Sequence, residues 1–155
     1  MNTILRSLIT TNDSYIGTTL RIGLAIVILP HGLQKSLGMF GGAGFQESMR
    51  FLTTQVHIPG AMAFLLIVGE SLGALSLLAG FLTRLCAASI GLIMLAAIQY
   101  VHREHGFFMN WSGQQQGEGY EYHLLALTIA TALIIGGGGA WSVDRGIERA
   151  RSTSD

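Results

Sequence analysis

The chain has 155 residues, of which 50% are apolar and 12% are charged, and its mean hydropathy is +0.48. Soluble domains usually carry roughly 25% charged residues, and the length predicts a single domain, 1–155. Nine basic and nine acidic residues cancel, so the charge balance does not indicate a nucleic-acid partner. A single cysteine, Cys86, excludes an internal disulfide and a dithiol redox pair. We interpret Cys86 as a small packing residue.

Four segments are long and apolar enough for transmembrane helices, which need about 20 mostly apolar residues. They cover approximately 15–37, 60–83, 85–101 and 122–143. The first contains Arg21 and the second contains Glu70 as its only charged residue, whereas the other two have none. Soluble amphipathic helices would show polar residues at every third or fourth position. The sequence therefore predicts an all-α fold, an integral membrane antiparallel four-helix bundle that has the lipid bilayer as its solvent.

The orientation follows from the charged residues at the two ends of the predicted spans. Residues 1–13 are polar and lack the apolar core of a cleavable signal peptide, so we expect no processing. The short connection between the second and third spans predicts a hairpin on the same side as both termini. That side carries Arg6, Arg21, Arg84, Arg145, Arg149 and Arg151, and the other side carries Lys35, Arg50 and Arg103. Because positive residues favour the cytoplasm, we expect a multi-pass protein with both termini cytoplasmic.

The first outer loop, residues 38–59, has the pattern of a short amphipathic helix. Phe45, Met49, Leu52 and Val56 fall on one helical stripe, and polar residues occupy the other faces. Such a helix would lie at the membrane interface. The alternative is a solvated loop in which this spacing arises by chance.

Glu70 and Arg21 are ionisable groups within the apolar spans. By residue count, Glu70 lies about 16 Å into its span and close to the depth of Arg21. A lone charge at mid-bilayer costs about 2.5–3.5 kcal/mol or more, so the sequence predicts an ion pair between Arg21 and Glu70. The pair either fixes helix register or serves in proton handling, with Glu70 as the carrier. Alternatively, Arg21 reaches the membrane surface and Glu70 is protonated.

A cluster of polar residues is expected at the outer mouth of the bundle. His31 and Lys35 lie one turn apart at the end of the first span, His102 closes the third span, and Glu121 and His123 open the fourth. Such a mouth can bind a polar headgroup while an apolar wall holds a tail, as in a site for a quinone or a lipid-like ligand. We predict these five residues as ligand-binding residues and expect no intrinsic cofactor.

Other interpretations of the mouth residues remain open. Lys35 alone would simply extend to lipid headgroups. His102 and His105 with Glu118 and Glu121 have spacings that suit a divalent metal, but surface histidines near helix ends are commoner than ligands, and we predict no metal site. Haem ligation would use His31, His102 or His123, but the chain has no CxxCH motif.

Several segments resemble the DoxX family of small four-helix bacterial membrane proteins. These segments run from about Arg21 to Asp144. In chain order they are Arg21 and the HGLQKSLGMFGGAGF that follows it, the IPG before span two, VGESLGALSLLAGFLTR, HREHGFFMNW, GYEYH and WSVDR. The resemblance implies a bacterial inner-membrane protein. Some members are linked to quinone-dependent sulfur oxidation as the small subunit of a thiosulfate:quinone oxidoreductase. Others associate with a superoxide dismutase and a sulfurtransferase in the oxidative-stress response, and distant animal relatives are membrane chaperones.

Two functional hypotheses follow. In the first, the chain is a redox-linked, quinone-associated subunit in which His31, Lys35 and Glu121 position the headgroup and Glu70 handles protons. In the second, it is a non-catalytic scaffold, assembly factor or chaperone whose loops dock partner proteins. Whether it is an enzyme is open, because any catalysis would require a soluble redox partner or a diffusible carrier. The run GGGGA at the end of span four also suggests close contacts in a homodimer.

Overall fold

The computed structural model describes residues 3–152, and its regular structure is helical. Within this range the helices are α1 (Thr3–Ile9), α2 (Tyr15–Leu37), α3 (Gly44–Thr54), α4 (Gly60–Ala79), α5 (Thr83–His105), α6 (Glu121–Gly136) and α7 (Val143–Ser152). A short 3-10 turn, Met39–Gly41, joins α2 to α3. No strand occurs between residues 3 and 152, so the predicted all-α class is confirmed. The remaining residues of the predicted domain, 1–2 and 153–155, lie outside the described range.

Three helices are long and apolar enough to cross a membrane. Helices α2, α4 and α5 have 23, 20 and 23 residues, and their most apolar windows have mean hydropathies of 1.5, 2.0 and 1.8. The fourth predicted span is shorter than expected, because α6 has 16 residues and ends at Gly136. It is about 24 Å long, less than the hydrocarbon thickness of about 30 Å. Gly137 and Gly139, with φ of 78° and 82°, end it in the left-handed region that glycine readily adopts.

The hydrophobic core lies where α2, α4, α5 and α6 meet. Helix α5 packs along α6, and α2 contacts both α4 and α6. Small and branched side chains, such as Ala25 and Ile28 of α2 and Ala87 and Ile90 of α5, are buried there. Only 33% to 39% of the most apolar windows of the three long helices is buried inside the chain. Their outward surfaces are therefore apolar as well, which fits a hydrocarbon solvent.

One end of the bundle is formed by the turn between α4 and α5, residues 80–82, and by the loop that follows α6, residues 137–142. We call it the hairpin end. The backbone N–H groups of Leu82 and Thr83 donate to the carboxylate of Asp144, each at 2.8 Å. Because the first N–H groups of a helix have no partner within it, the buried Asp144 caps α5. The short connection predicted between the second and third spans is confirmed.

The GGGGA run, 136–140, packs within the chain at the hairpin end. A Cβ on Gly138 would lie 2.5 Å from the Thr83 hydroxyl, and a Cβ on Gly139 would lie 2.4 Å from the Ser14 carbonyl oxygen. These glycines therefore allow the loop to approach α2 and α5 closely. Since Gly137, Gly138 and Gly139 are buried in this way, they do not form the surface that we expected a second copy to use. The homodimer stays a prediction.

The amphipathic helix predicted in the first outer loop is confirmed as α3. Leu52 is buried in a small apolar cluster with Ile58, Ala63 and Ile67, against which Met49 and Val56 pack. Phe45 contacts Phe64 of α4 edge to face, with ring centroids 6.3 Å apart. The apolar stripe of α3 therefore packs on α4, and α3 also contacts α2. Together with residues 106–120, α3 forms the opposite end of the bundle, which we call the loop end.

Helices α1 and α7, which were not predicted from the sequence, both lie at the hairpin end. An ion-pair cluster joins α7 to the segment before α2. Arg145 Nε donates to Asp13 Oδ1 at 2.7 Å, and Arg149 Nη2 donates to the same oxygen at 2.7 Å. A second guanidinium nitrogen of Arg145 contacts Asp13 Oδ2, so the Arg145–Asp13 pair is bidentate. Hydrogen bonding from Arg145 lowers the pKa of Asp13 below its ordinary value of 3.8.

This cluster predicts a small loss of stability in acid. The pKa of Asp13 is lower in the folded state than in the unfolded state, so the pair stabilises the fold above the unfolded value. The stabilisation is lost as pH falls through the folded value. We expect D13N to flatten the decrease in thermal unfolding midpoint between about pH 5 and pH 3 in detergent. E47Q, which removes an exposed pair with Arg50, is the control; an unchanged pH slope in D13N would contradict the assignment.

Candidate functional site

Arg21 does not pair with Glu70, and the predicted ion pair is wrong. Arg21 is 1% exposed, and its guanidinium turns toward the hairpin end, where it donates to four backbone carbonyl groups. The acceptors are Gly138 at 3.0 Å, Leu77 at 3.1 Å, Trp141 at 2.7 Å, and Leu78. Leu77 and Leu78 belong to the last turn of α4, whose carbonyl groups lack partners within the helix. Arg21 therefore joins α2, α4 and the loop after α6.

The predicted ion pair between Arg21 and Glu70 is wrong for a geometric reason. Counting residues along each helix gave similar depths for Arg21 and Glu70, but the arginine side chain extends toward its own end of the bundle. Leu77 lies seven residues beyond Glu70, about 10 Å along α4. A guanidinium offers five donors in a fixed fork and can satisfy several carbonyl groups together. The position of Arg21 fits a structural role instead of proton handling.

Glu70 forms its ion pair with Lys35. The distance from Lys35 Nζ to Glu70 Oε2 is 2.5 Å, and the side chains are 30% and 8% exposed, respectively. A carboxylate this deeply buried requires a partner to remain charged. Lys35, which the sequence analysis assigned to the ligand headgroup, therefore also supplies the positive charge expected from Arg21. The pair joins α2 to the middle of α4.

A π-helical turn holds Glu70 against α2. This turn, Gly69–Gly73, interrupts α4, and Gly32 of α2 packs directly on it. A Cβ on Gly32 would lie 2.1 Å from the Glu70 carbonyl oxygen and 2.5 Å from the Ser71 nitrogen, so this contact requires glycine. A second π-helical turn, Ile98–His102, interrupts α5. Such turns are rare and occur frequently at functional sites.

Both π-helical turns border a cavity of about 420 Å³ toward the loop end. The polar residues that line it come from α2, α4, α5, α6 and the second outer loop. They are His31, Lys35, Glu70, Tyr100, His102, Glu118, Tyr122 and His123. Phe51 and Leu52 of α3 cover it, and Ile28, Ile93 and Met94 contribute to an apolar wall. The volume and the mixture of apolar wall and convergent polar groups match those of small-molecule sites.

Two buried polar atoms at this cavity have no hydrogen-bond partner among the described residues. They are Nδ1 of His123 and the hydroxyl of Tyr122, and both residues line the cavity. His123 is 6% exposed. Leaving such a group unsatisfied costs about 1–3 kcal/mol, and most buried polar groups in native proteins are satisfied. A third such atom, Thr83 Oγ1, lies at the other end of the bundle. Both atoms at the cavity are shielded from its interior, so a ligand with hydrogen-bonding atoms would satisfy them once the two side chains turn toward it.

His102 lies next to His123 in the cavity wall. Their ring centroids are 4.2 Å apart and the rings are inclined by 41°. Nδ1 of His102 is 2.8 Å from the Glu118 carbonyl oxygen. A carbonyl oxygen only accepts, so Nδ1 carries the proton, and in the neutral ring Nε2 is an acceptor. The hydrogen bond therefore fixes the tautomer of His102 and leaves its Nε2 as an acceptor.

Glu121 is not among the residues that line the cavity. Its carboxylate accepts hydrogen bonds from the Met109 backbone at 2.9 Å and from the Trp111 indole at 3.2 Å. Glu118 similarly accepts from the Asn110 backbone at 2.7 Å. Both carboxylates therefore hold the second outer loop in place over the bundle. The structure replaces the predicted ligand-binding role of Glu121 with that of a loop anchor.

The structure brings together most of the predicted ligand residues and adds others. His31, Lys35, His102 and His123 share the cavity. Tyr122 was not among the residues predicted to bind a ligand, and Glu70 was expected in the middle of its span rather than at the mouth. For Tyr122, the available signal in the sequence was its position next to His123 at the start of the fourth predicted span. Sequence alone did not indicate which face of α6 turns inward.

The comparisons with known proteins identify the family. The family model DoxX matches residues 17–103, more than half of the chain. The matched range includes Arg21, Gly32, Lys35 and Glu70, and it ends before the second outer loop and α6. Comparisons with curated proteins and with solved structures give no significant match. The chain belongs to the DoxX family, and its three long apolar helices identify it as a membrane protein of that type.

Proposed function

We propose that the chain is the membrane subunit of a redox system and that it binds a quinone headgroup in the cavity at the loop end. The observation that carries the proposal is a pair of polar atoms, His123 Nδ1 and the Tyr122 hydroxyl, that have no partner within residues 3–152 and belong to residues lining a cavity with an apolar wall. A quinone has an apolar ring with a carbonyl oxygen at each end. Its binding site needs an apolar slot with hydrogen-bond donors, and these residues fit that need.

Tyr122 and His123 supply the hydrogen bonds in this proposal. The Tyr122 hydroxyl donates to one carbonyl oxygen, and the imidazole of His123 donates from Nδ1 to the other. His102 packs against His123 and orients its ring. When bound, a quinone accepts electrons and protons and leaves as the hydroquinone. The electrons would come from a soluble partner protein, so this chain contributes the binding site and the route for protons.

Lys35 and Glu70 form the proton-handling pair of the proposal. Both line the cavity, and Lys35 also lines an outer groove of about 780 Å³ between α2 and α3. Polar residues of that groove include Gln34, Glu47 and Gln55. A proton held between Lys35 and Glu70 is therefore within reach of water on one side and the headgroup on the other. Glu70 thus keeps the role expected for it, with Lys35 in place of Arg21 as its partner.

The proposal also includes the topology. We place the chain in the bacterial inner membrane as an antiparallel four-helix bundle formed by α2, α4, α5 and α6, with both termini in the cytoplasm. The arginine excess at the hairpin end supports this orientation. The quinone site then faces outward. Sulfur oxidation and the oxidative-stress response are the two settings that we propose for such a subunit.

Substitution of Tyr122 tests the proposal with little risk to the fold. We expect Y122F to weaken binding of decyl-tailed dimethoxymethylbenzoquinone by about five- to tenfold, the effect of losing one hydrogen bond. Stability without ligand should be unchanged or slightly higher, because the variant removes a buried hydroxyl that has no partner among the described residues. Titration calorimetry and thermal unfolding in mild detergent measure the two quantities. Y15F, at the hairpin end, is the matched control.

The competing scaffold or chaperone function predicts a different outcome of the quinone-binding measurements. If purified protein binds no quinone, and if organic extracts of freshly isolated protein contain none, the redox proposal fails and the scaffold function remains. Equal quinone affinities of Y122F and wild type would show that the headgroup does not use this hydroxyl. A loss of stability in Y122F would instead indicate a structural role for the side chain.

A further inference from the structure

A second space adjoins the cavity on the lipid-facing side. It is a groove of about 400 Å³ between α4 and α5. Small residues form its floor: Gly69 and Gly73 on α4, and Cys86 and Ser89 on α5. Its rim consists of exposed apolar side chains, which are Met62, Leu65, Leu85 and Leu92. The groove extends from Leu85 to Ala96 along α5, about 16 Å.

The groove and the cavity share part of their walls. Ile58, Leu66, Ile93 and Ala96 line both spaces. The side chains of these four residues are apolar, so they offer no hydrogen bond where the two spaces meet. A molecule that extends from the cavity into the groove therefore leaves a polar site and enters a hydrocarbon-like one.

The other neighbouring space has the opposite character. The outer groove between α2 and α3 meets the cavity at Lys35, Phe51 and Leu52, but its lining includes Gln34, Glu47, Arg50 and Gln55. A hydrocarbon chain placed there would be exposed to water and charge, which is unfavourable. The cavity thus adjoins a polar groove, which can carry protons, and an apolar groove, which can hold a hydrocarbon tail.

We propose that the groove between α4 and α5 holds the hydrocarbon tail of the quinone whose headgroup occupies the cavity. The site then selects long-chain quinones over tailless ones. This inference rests on the proposed function and adds the class of quinone that the site takes. The small residues of the groove floor let the tail pack closely against both helices.

Gly73, the last residue of the π-helical turn that carries Glu70, offers a way to block the groove from a position outside the cavity lining. A Cβ at Gly73 would meet only the Val68 carbonyl oxygen, at 3.9 Å, so a larger side chain can project from this position into the groove. Gly73 does not line the cavity. Gly23 of α2 is the matched control, because it is exposed and a Cβ there would meet nothing within 4 Å. Both glycines lie in apolar helices. G73L and G23L therefore add the same side chain to similar surroundings, and they differ in whether that side chain enters the groove.

The experiment compares dimethoxymethylbenzoquinone with its decyl-tailed homologue in mild detergent. Wild type should bind the tailed compound more tightly. G73L should lose about tenfold or more in affinity for the tailed compound, the effect of overfilling a packed space, and should bind the tailless compound as wild type does. G23L should leave both affinities unchanged. Titration calorimetry provides all six values.

Two results would overturn the inference. If G73L binds the tailed compound as wild type does, or loses affinity for both compounds equally, the tail does not occupy the groove. If neither compound binds wild type, the proposed function itself fails. A photoreactive diazirine at the tail end tests the wild-type protein independently of any variant. Labelling within residues 85–92 supports the groove, and labelling confined to α2 contradicts it.

Discussion

Replacing Arg21 with methionine is expected to prevent recovery of folded protein. The substitution removes the guanidinium donor from the carbonyl groups of Leu78, Gly138 and Trp141, and it leaves the buried Asp144 without a compensating positive charge. The loss should be about 4 kcal/mol or more, a large part of the stability of a typical domain. Size-exclusion chromatography and thermal unfolding in mild detergent measure it. R21K should fail to restore stability, because an ammonium cannot reproduce the guanidinium fork.

Two comparisons separate this role from the ion pair expected from the sequence. R50M removes an exposed charge paired with Glu47 and should change stability by less than about 1 kcal/mol. E70Q should be far milder than R21M, since Lys35 is partly exposed and its ammonium can turn to water. If E70Q and R21M were equally harmful and their effects were not additive, the two side chains would be partners after all.

Replacing Gly32 with alanine should have the second-largest effect. The new Cβ would lie 2.1 Å from the carbonyl oxygen of Glu70 and 2.3 Å from its carbonyl carbon. Since both are backbone atoms, α2 and α4 must separate, and overpacking of this kind costs about 3 kcal/mol or more. Separation also moves Glu70 away from Lys35. We therefore expect a lower thermal unfolding midpoint together with weaker quinone binding.

Gly23 again provides the control on the same helix. G23A should be neutral or should stabilise α2 by about 0.5–1 kcal/mol, because alanine is the better helix former and the site is open. G32A and G23A proteins with the same unfolding midpoint would show that the two helices are not in backbone contact at Glu70. A normal midpoint with lost quinone binding in G32A would place the effect on the cavity alone.

In the proposed function, the charged residues at the two ends of the bundle have different roles. At the hairpin end, Arg21 and Asp144 satisfy the backbone groups of helix ends and a glycine-rich loop, so their charges serve the fold. At the loop end, Lys35 and Glu70 face a cavity that His123 and Tyr122 also line, and each of these two has a buried polar atom without a partner among the described residues. Buried charges that are fully engaged with backbone are poor candidates for chemistry, whereas a partly exposed pair at a cavity is a good one.

Much of the architecture was predictable from the sequence. The bounds of α2 agree with the first predicted span, and α3 agrees with the amphipathic pattern around Leu52. These features are local, since each depends on the length and periodicity of one segment in its solvent. The short α6 was less predictable, because hydropathy does not register the backbone change at Gly137 that ends the helix.

The sequence by itself determined that this chain is a membrane protein and that His31, Lys35, His102 and His123 belong near one end of it. Only the tertiary structure decided which charges meet, since Glu70 pairs with Lys35 and Arg21 binds carbonyl groups. The reason is that transfer into lipid depends on each segment separately, whereas an ion pair depends on how two helices are rotated and shifted. Contacts far apart in sequence, such as Gly32 on the turn at Glu70, fix that rotation and shift.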